Sequence, residues 1–235
     1  MWYRQGQYLL FFLVFATRVQ ESFSMSMVVA SHAKFVVKPG AAMSFLKAFQ
    51  SKARTIVAEP DCLQFVIGRQ VDPEADSVYF LHNQFRTSEA FEMHSRDILD
   101  FTDPMLSEPV QLQRYECPHE PVRRLPTSGY CLNVESIVKP EYEKEYDELI
   151  KSHSANSRME PACVQFDWGK APPNEEGHVG YYFHEEYTSR AGFEAHIVTP
   201  HFKRFVEFNE SKDPYVTPQV VDFFEIIDLS DNISL

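Results

Sequence analysis

One short motif occurs twice in the chain, and that repetition limits the folds available to it. Glu59-Pro-Asp-Cys62-Leu-Gln64-Phe65 returns 101 residues later as Glu160-Pro-Ala-Cys163-Val-Gln165-Phe166, and Val37-Lys38-Pro39 returns at the same spacing as Val138-Lys139-Pro140. His94 returns as His196 at a spacing of 102, so one residue enters between these markers. The insertion falls where residues 72–76 face residues 172–177, both rich in Pro and acidic residues, as a surface loop of variable length would be. A period near one hundred is too long for a solenoid and fits a duplicated module.

Each copy reads as strand, helix, strand, strand, helix, strand. Residues 27–37 and 130–138 are rich in β-branched residues and close on Lys-Pro. Phe45, Leu46, Phe49, Ala53 and Ile56 fall on one helical stripe, and Tyr142, Tyr146, Leu149, Ile150 and His153 form its counterpart. Pro60 and Pro161 stop these helices. Strands follow over 62–70 and 78–85, and over 163–168 and 178–187; Thr87-Ser88 and Thr188-Ser189 supply N-caps for the next helices. Strands over 110–116 and 220–227 close the two copies.

The fold class is therefore α+β: two tandem ferredoxin-like βαββαβ modules, each a four-stranded antiparallel sheet with both helices on one face. Pairing the two open sheet faces gives a pseudo-dimeric α/β barrel, which hides surface that would otherwise be an exposed apolar patch. The boundaries expected are an N-terminal apolar segment (1–26), a first module (27–116), a Pro-rich linker (117–128), a second module (129–228) and a tail (229–235).

The net charge of −12, with 34 acidic against 22 basic residues, removes the electrostatic footprint of a nucleic-acid binder. The four cysteines form no CxxC pair and no Cys/His spacing of a zinc site, so neither a metal nor a disulfide framework is expected. Arg4 precedes an apolar run over residues 8–16 that resembles a secretory signal peptide and is too short to span a membrane. A cleaved signal implies secretion or organelle targeting. An uncleaved anchor, or a start at Met25 or Met27, are the competing readings, the last leaving a cytoplasmic protein.

Chemistry concentrates in the second copy, over Tyr181 to Phe205. Period two places Phe183, Glu185 and Tyr187 on one strand face, which is assigned to the helix side; Tyr182, His184 and Glu186 take the other. Phe193 and His196 share the apolar face of the following helix. Glu185, Tyr187 and His196 are thus expected around one space, with Phe183, Phe193 and His201 beside it. A carboxylate near an imidazole holds the proton of one ring nitrogen and raises the basicity of the other. The first copy has Asn83, Phe85 and His94 instead, so it lacks the carboxylate and the phenol. His94 and Asn83 remain candidate contacts there, but a single working pocket is expected in the second copy. A histidine on an apolar helix face is also what a satisfied core residue looks like, and duplication copies structural histidines as readily as functional ones.

The chain resembles the antibiotic biosynthesis monooxygenase family of small dimeric α/β-barrel domains. The resemblance rests on Lys-Pro-Gly at 38–40, Glu-Pro-x-Cys before the second strand, Glu185-x-Tyr187, and His196-x-x-x-Pro200-His201-Phe202. It implies a cofactor-independent monooxygenase acting on a quinol or phenolic polyketide with O2, with His196 as base, Glu185 orienting it and Tyr187 bonding the substrate. A ligand-binding or structural protein, or an isomerase or decarboxylase using the same pocket, are the alternatives. The Asn/Trp/His set of haem-degrading relatives is not reproduced: Tyr187 stands where their Trp is expected. With the partner module built in, the chain is expected to be a monomer.

Overall fold

The computed structural model describes residues 28–71, 77–118 and 127–229. The N-terminal apolar segment and residues 119–126 of the expected linker lie outside these. The first half runs β1 (Val28–Val36), α1 (Ala42–Ile56), β2 (Cys62–Gln70), β3 (Val78–Phe85), α2 (Ser88–Thr102) and β4 (Gln111–Cys117). The second runs β5 (Tyr130–Val138), α3 (Glu143–Ser157), β6 (Cys163–Lys170), β7 (Val179–Tyr187), α4 (Arg190–His196), α5 (Pro200–Lys212) and β8 (Val220–Ile226). The expected order holds in both halves, with one difference: the last helix of the second half is split in two. Among the described residues no helix is long and apolar enough to cross a membrane.

The eight strands close into one antiparallel barrel in the order β1-β3-β2-β8-β5-β7-β6-β4. Within each half the sheet is β4-β1-β3-β2 or β8-β5-β7-β6, and the two seams join β2 to β8 and β4 to β6. Each half thus covers the other's edge strands, which removes open edges. The seams need close backbone approach. A Cβ on Gly68 would lie 2.2 Å from the Phe224 ring, and one on Gly169 would lie 2.2 Å from the Glu116 carbonyl oxygen. These two glycines are 101 residues apart, one per copy.

Strand alternation divides the apolar residues into two environments. Helix-facing side chains build one core per half, around Phe35, Phe45 and Phe49 in the first and around Tyr146, Phe166 and Tyr187 in the second. The inward faces fill the barrel with polar pairs related by the repeat. Gln64 and Gln165 exchange amide hydrogen bonds at 2.7 and 2.6 Å. His82 and His184 stack face to face, 3.7 Å apart, where the two halves meet. Asp167 accepts from Gln84 at 2.9 Å and from Gln165 at 2.6 Å, which offsets the cost of burying its carboxylate. None of the four cysteines is in a disulfide.

Candidate functional site

In the first half the space between helices and sheet is filled by aromatic rings. Phe49 on α1 packs against Phe35, Phe45 and Phe101 at centroid distances of 5.4, 4.8 and 5.2 Å. The residue 101 positions later is Ile150, and in the second half that space is open. The result is a cavity of about 260 Å³. Its floor is Leu132 and Val134 of β5 with Phe166 of β6, and its helical wall is Ile150 and His153 of α3. Phe193 of α4 and Phe202 and Phe205 of α5 close it, and β8 contributes Val221 and Phe223. Phe193, Val221 and Phe223 also line an outer groove, where Gln70 and Val71 of the first half meet Tyr130 and Arg190.

Glu185 is the one carboxylate on this apolar wall, beside Phe183 of the same strand face. Burial pushes its pKa up to about 7, and the nearby Glu160 adds to the rise, while a hydrogen bond from Tyr187 opposes it. That bond, from the Tyr187 hydroxyl to Glu185 Oε2, is 2.7 Å long. The phenol itself is held far above its ordinary pKa, first by burial and then by Glu185, so it acts as a donor. Two further polar side chains reach the wall, Gln219 and His153; burial lowers His153 to about 3, and it stays neutral.

The imidazole expected to pair with Glu185 has a different partner. His196 Nδ1 donates to Glu160 Oε1 at 2.8 Å, and His201 Nε2 donates to the same oxygen at 2.7 Å. His196 is fully buried, lies behind the cavity wall, and contacts Tyr187 and His153 at ring distances of 5.3 Å. Its pKa is lowered by burial, with Glu160 acting in the opposite direction. The helix break explains how His201 arrives. α4 ends at His196, Thr199 caps α5 by accepting from Phe202 N, and Pro200 opens it. His201 therefore sits in the first turn of α5, beside Glu160.

Of the expected site residues, the structure brings Phe183, Glu185 and Phe193 to the cavity wall and sets Tyr187 behind Glu185. His196 and His201 gather on Glu160 instead. His94 and Asn83 line no part of the cavity: His94 Nε2 bonds Glu59 at 2.8 Å, and Asn83 accepts from Ser31. The Glu59–His94 pair repeats Glu160–His196, so the pairing itself belongs to the shared scaffold. Glu160 and His153 were missed as site residues, yet both lay in view: Glu160 opens the repeated motif and His153 sits on the α3 stripe. Among the described residues three groups have metal-ligand spacing: Glu160/His196/His201, the barrel trio His32/His82/His184, and Cys131/His184/Glu186.

Two ferredoxin-like units sharing one barrel, with a cavity between helices and sheet, define the dimeric α/β-barrel class. The family model for antibiotic biosynthesis monooxygenase matches residues 28–97 and 129–207, and the chain belongs to that family. Solved structures agree on the fold. A candidate monooxygenase from Lactobacillus acidophilus superposes with a TM-score of 0.62 at 16% identity, over 86% of this chain and 97% of its own. One from Fusobacterium nucleatum gives 0.65 at 16% identity, over 86% and 94%. An anthrone oxidase-like protein gives 0.58 at 13% identity, over 89% and 97%. No curated protein sequence matches the chain.

Proposed function

We propose that the protein is a monooxygenase of small electron-rich aromatics, quinols or phenolic polyketides, and that Glu185 is its base. The observation that carries this reading is a lone carboxylate, poised near neutral pH, on the wall of an aromatic-lined cavity. A general base works best with a pKa near the operating pH, and Glu185 meets that condition at about 7. The family and the likeness to candidate monooxygenases supply the reaction class. The cavity, at about 260 Å³, lies below the usual range for drug-sized ligands and suits one or two fused rings.

In this reading Glu185 accepts the phenolic proton while Tyr187 keeps the carboxylate in place. The phenolate, stripped of water by the apolar wall, gives one electron to O2, and the radical pair joins at a ring carbon bearing hydrogen. Protonated Glu185 returns its proton to the peroxide, and the hydroperoxide then loses water: the C–H and O–O bonds break, that carbon becomes a quinone carbonyl, and the departing hydroxide takes the C–H proton. One oxygen atom stays on the product and the other leaves as water. The substrate supplies all the electrons. His153, neutral through the working range, holds the substrate's second oxygen, and Glu160 with His196 fixes the wall behind Tyr187.

O2 consumption with a panel of hydroquinones, naphthols and anthrones tests the proposal. Wild type should turn over at least one class, and Glu185→Gln should lower kcat by about 10²–10⁴-fold, the usual worth of a general base. Background rates across the panel would remove the monooxygenase reading. Full activity in Glu185→Gln would remove the base assignment.

A further inference from the structure

We propose that Glu160, His196 and His201 form a binding site for one divalent transition-metal ion of the zinc, cobalt or iron class. Two imidazole nitrogens and one carboxylate oxygen are a donor set suited to these ions, and the three atoms lie within 4.8 Å of one another. Donors held about 2.1 Å from an ion stand roughly 3.0–3.4 Å apart. The existing spacings of 2.8 and 2.7 Å from Glu160 Oε1 to the two nitrogens therefore need open only slightly. The side chains are already ordered and shielded, with relative exposures of 0%, 11% and 14% for His196, His201 and Glu160.

A second observation points to a ligand. His153 is buried and its Nδ1 has no hydrogen-bond partner. Its ring lies 5.3 Å from both His196 and His201. A water on an ion held by three protein ligands is the donor this nitrogen lacks. Because His153 also lines the cavity, the open coordination side would face it.

The repeat supplies an internal control. The first half retains Glu59 and His94 at 2.8 Å, but the position matching His201 is Leu99, which leaves two donors instead of three. The helix break at Thr199-Pro200 is what adds the third. The ion is not required by the reaction proposed above, and the inference does not rest on that reading.

The test uses the full chain, stripped with chelator and titrated with Co²⁺ and Zn²⁺ at constant pH, without substrate. Wild type should take up one equivalent, with visible cobalt bands and a raised melting temperature. X-ray absorption should show only nitrogen and oxygen neighbours, two of them imidazoles. His201→Leu, which copies the first half, and Glu160→Gln should each weaken binding by about a hundredfold or more, while Glu59→Gln leaves it unchanged. The proposal is overturned by the absence of saturable uptake in wild type, or by uptake that survives His201→Leu. Uptake lost instead with His82→Ala, which would place the ion in the barrel, overturns it too.

Discussion

Glu185 should make the fold less stable as pH rises, and by an amount the structure fixes. Its folded pKa is about 7 against an ordinary 4.5, so between these values the folded protein holds a proton that the unfolded chain has released. Stability is therefore complete below about pH 4.5, falls through the window and levels off above pH 7. At 1.36 kcal/mol for each pKa unit, the loss is about 3 kcal/mol. Solvent screening changes this little, since Glu185 is 7% exposed. Glu185→Gln keeps an acceptor for Tyr187 and cannot ionise. Urea unfolding of both proteins at pH 4.5, 6 and 8 should find them alike at the lowest pH and the variant more stable by about 3 kcal/mol at the highest. Neighbouring groups cancel in the comparison or stay silent: His153, lowered from 6.5 to about 3, gains stability as pH rises through the same window but does so in both proteins, and Cys163, pushed up to about 12, does not titrate there. A stability difference independent of pH would show that Glu185 titrates as an ordinary surface carboxylate, and the base assignment would lose its footing.

Ile150→Phe installs the first half's ring at the matching place and should fill the cavity. Binding of a naphthol, followed by tryptophan fluorescence, should drop at least about tenfold while the melting temperature holds, because the ring enters open space; unchanged binding would move the ligand elsewhere. Asp167→Ala leaves Gln84 and Gln165 without their shared acceptor inside the barrel, and should cost about 3 kcal/mol in urea unfolding. A loss under about 0.5 kcal/mol would mean the network is re-formed by water. Sedimentation should find a monomer across micromolar concentrations, since both sheet seams are closed within the chain; a tight dimer would contradict that.

Strand order, both helical stripes and the inward and outward faces were legible because each rests on local periodicity and each was written twice. Phe45, Leu46, Phe49, Ala53 and Ile56 are the buried apolar positions of α1, as the spacing requires. The site was legible only in part. Placing Glu185 and His196 on facing surfaces was sound, but a shared space does not choose a hydrogen-bond partner. Tyr187, two residues on along the same strand face, reaches back to Glu185, and Glu160 reaches His196 from the turn before β6. That turn has no periodicity to reveal which way a side chain points. The cavity was beyond reading too, because it depends on how helices and sheet fill the space between them: Ile150 against Phe49 looks conservative as text and decides whether a void exists.

The reciprocal pairing of Gln64 with Gln165 has a consequence for how such a chain can change over time. A residue that meets its own copy must vary together with it, so the axis of the barrel is held to symmetry by its own packing. The helix side bears no such tie. One half could lose its carboxylate and fill its void with phenylalanine while the other kept both, at no cost to the shared barrel. Covalent joining makes that division of labour heritable, because a dimer of identical chains would carry each change into both of its pockets.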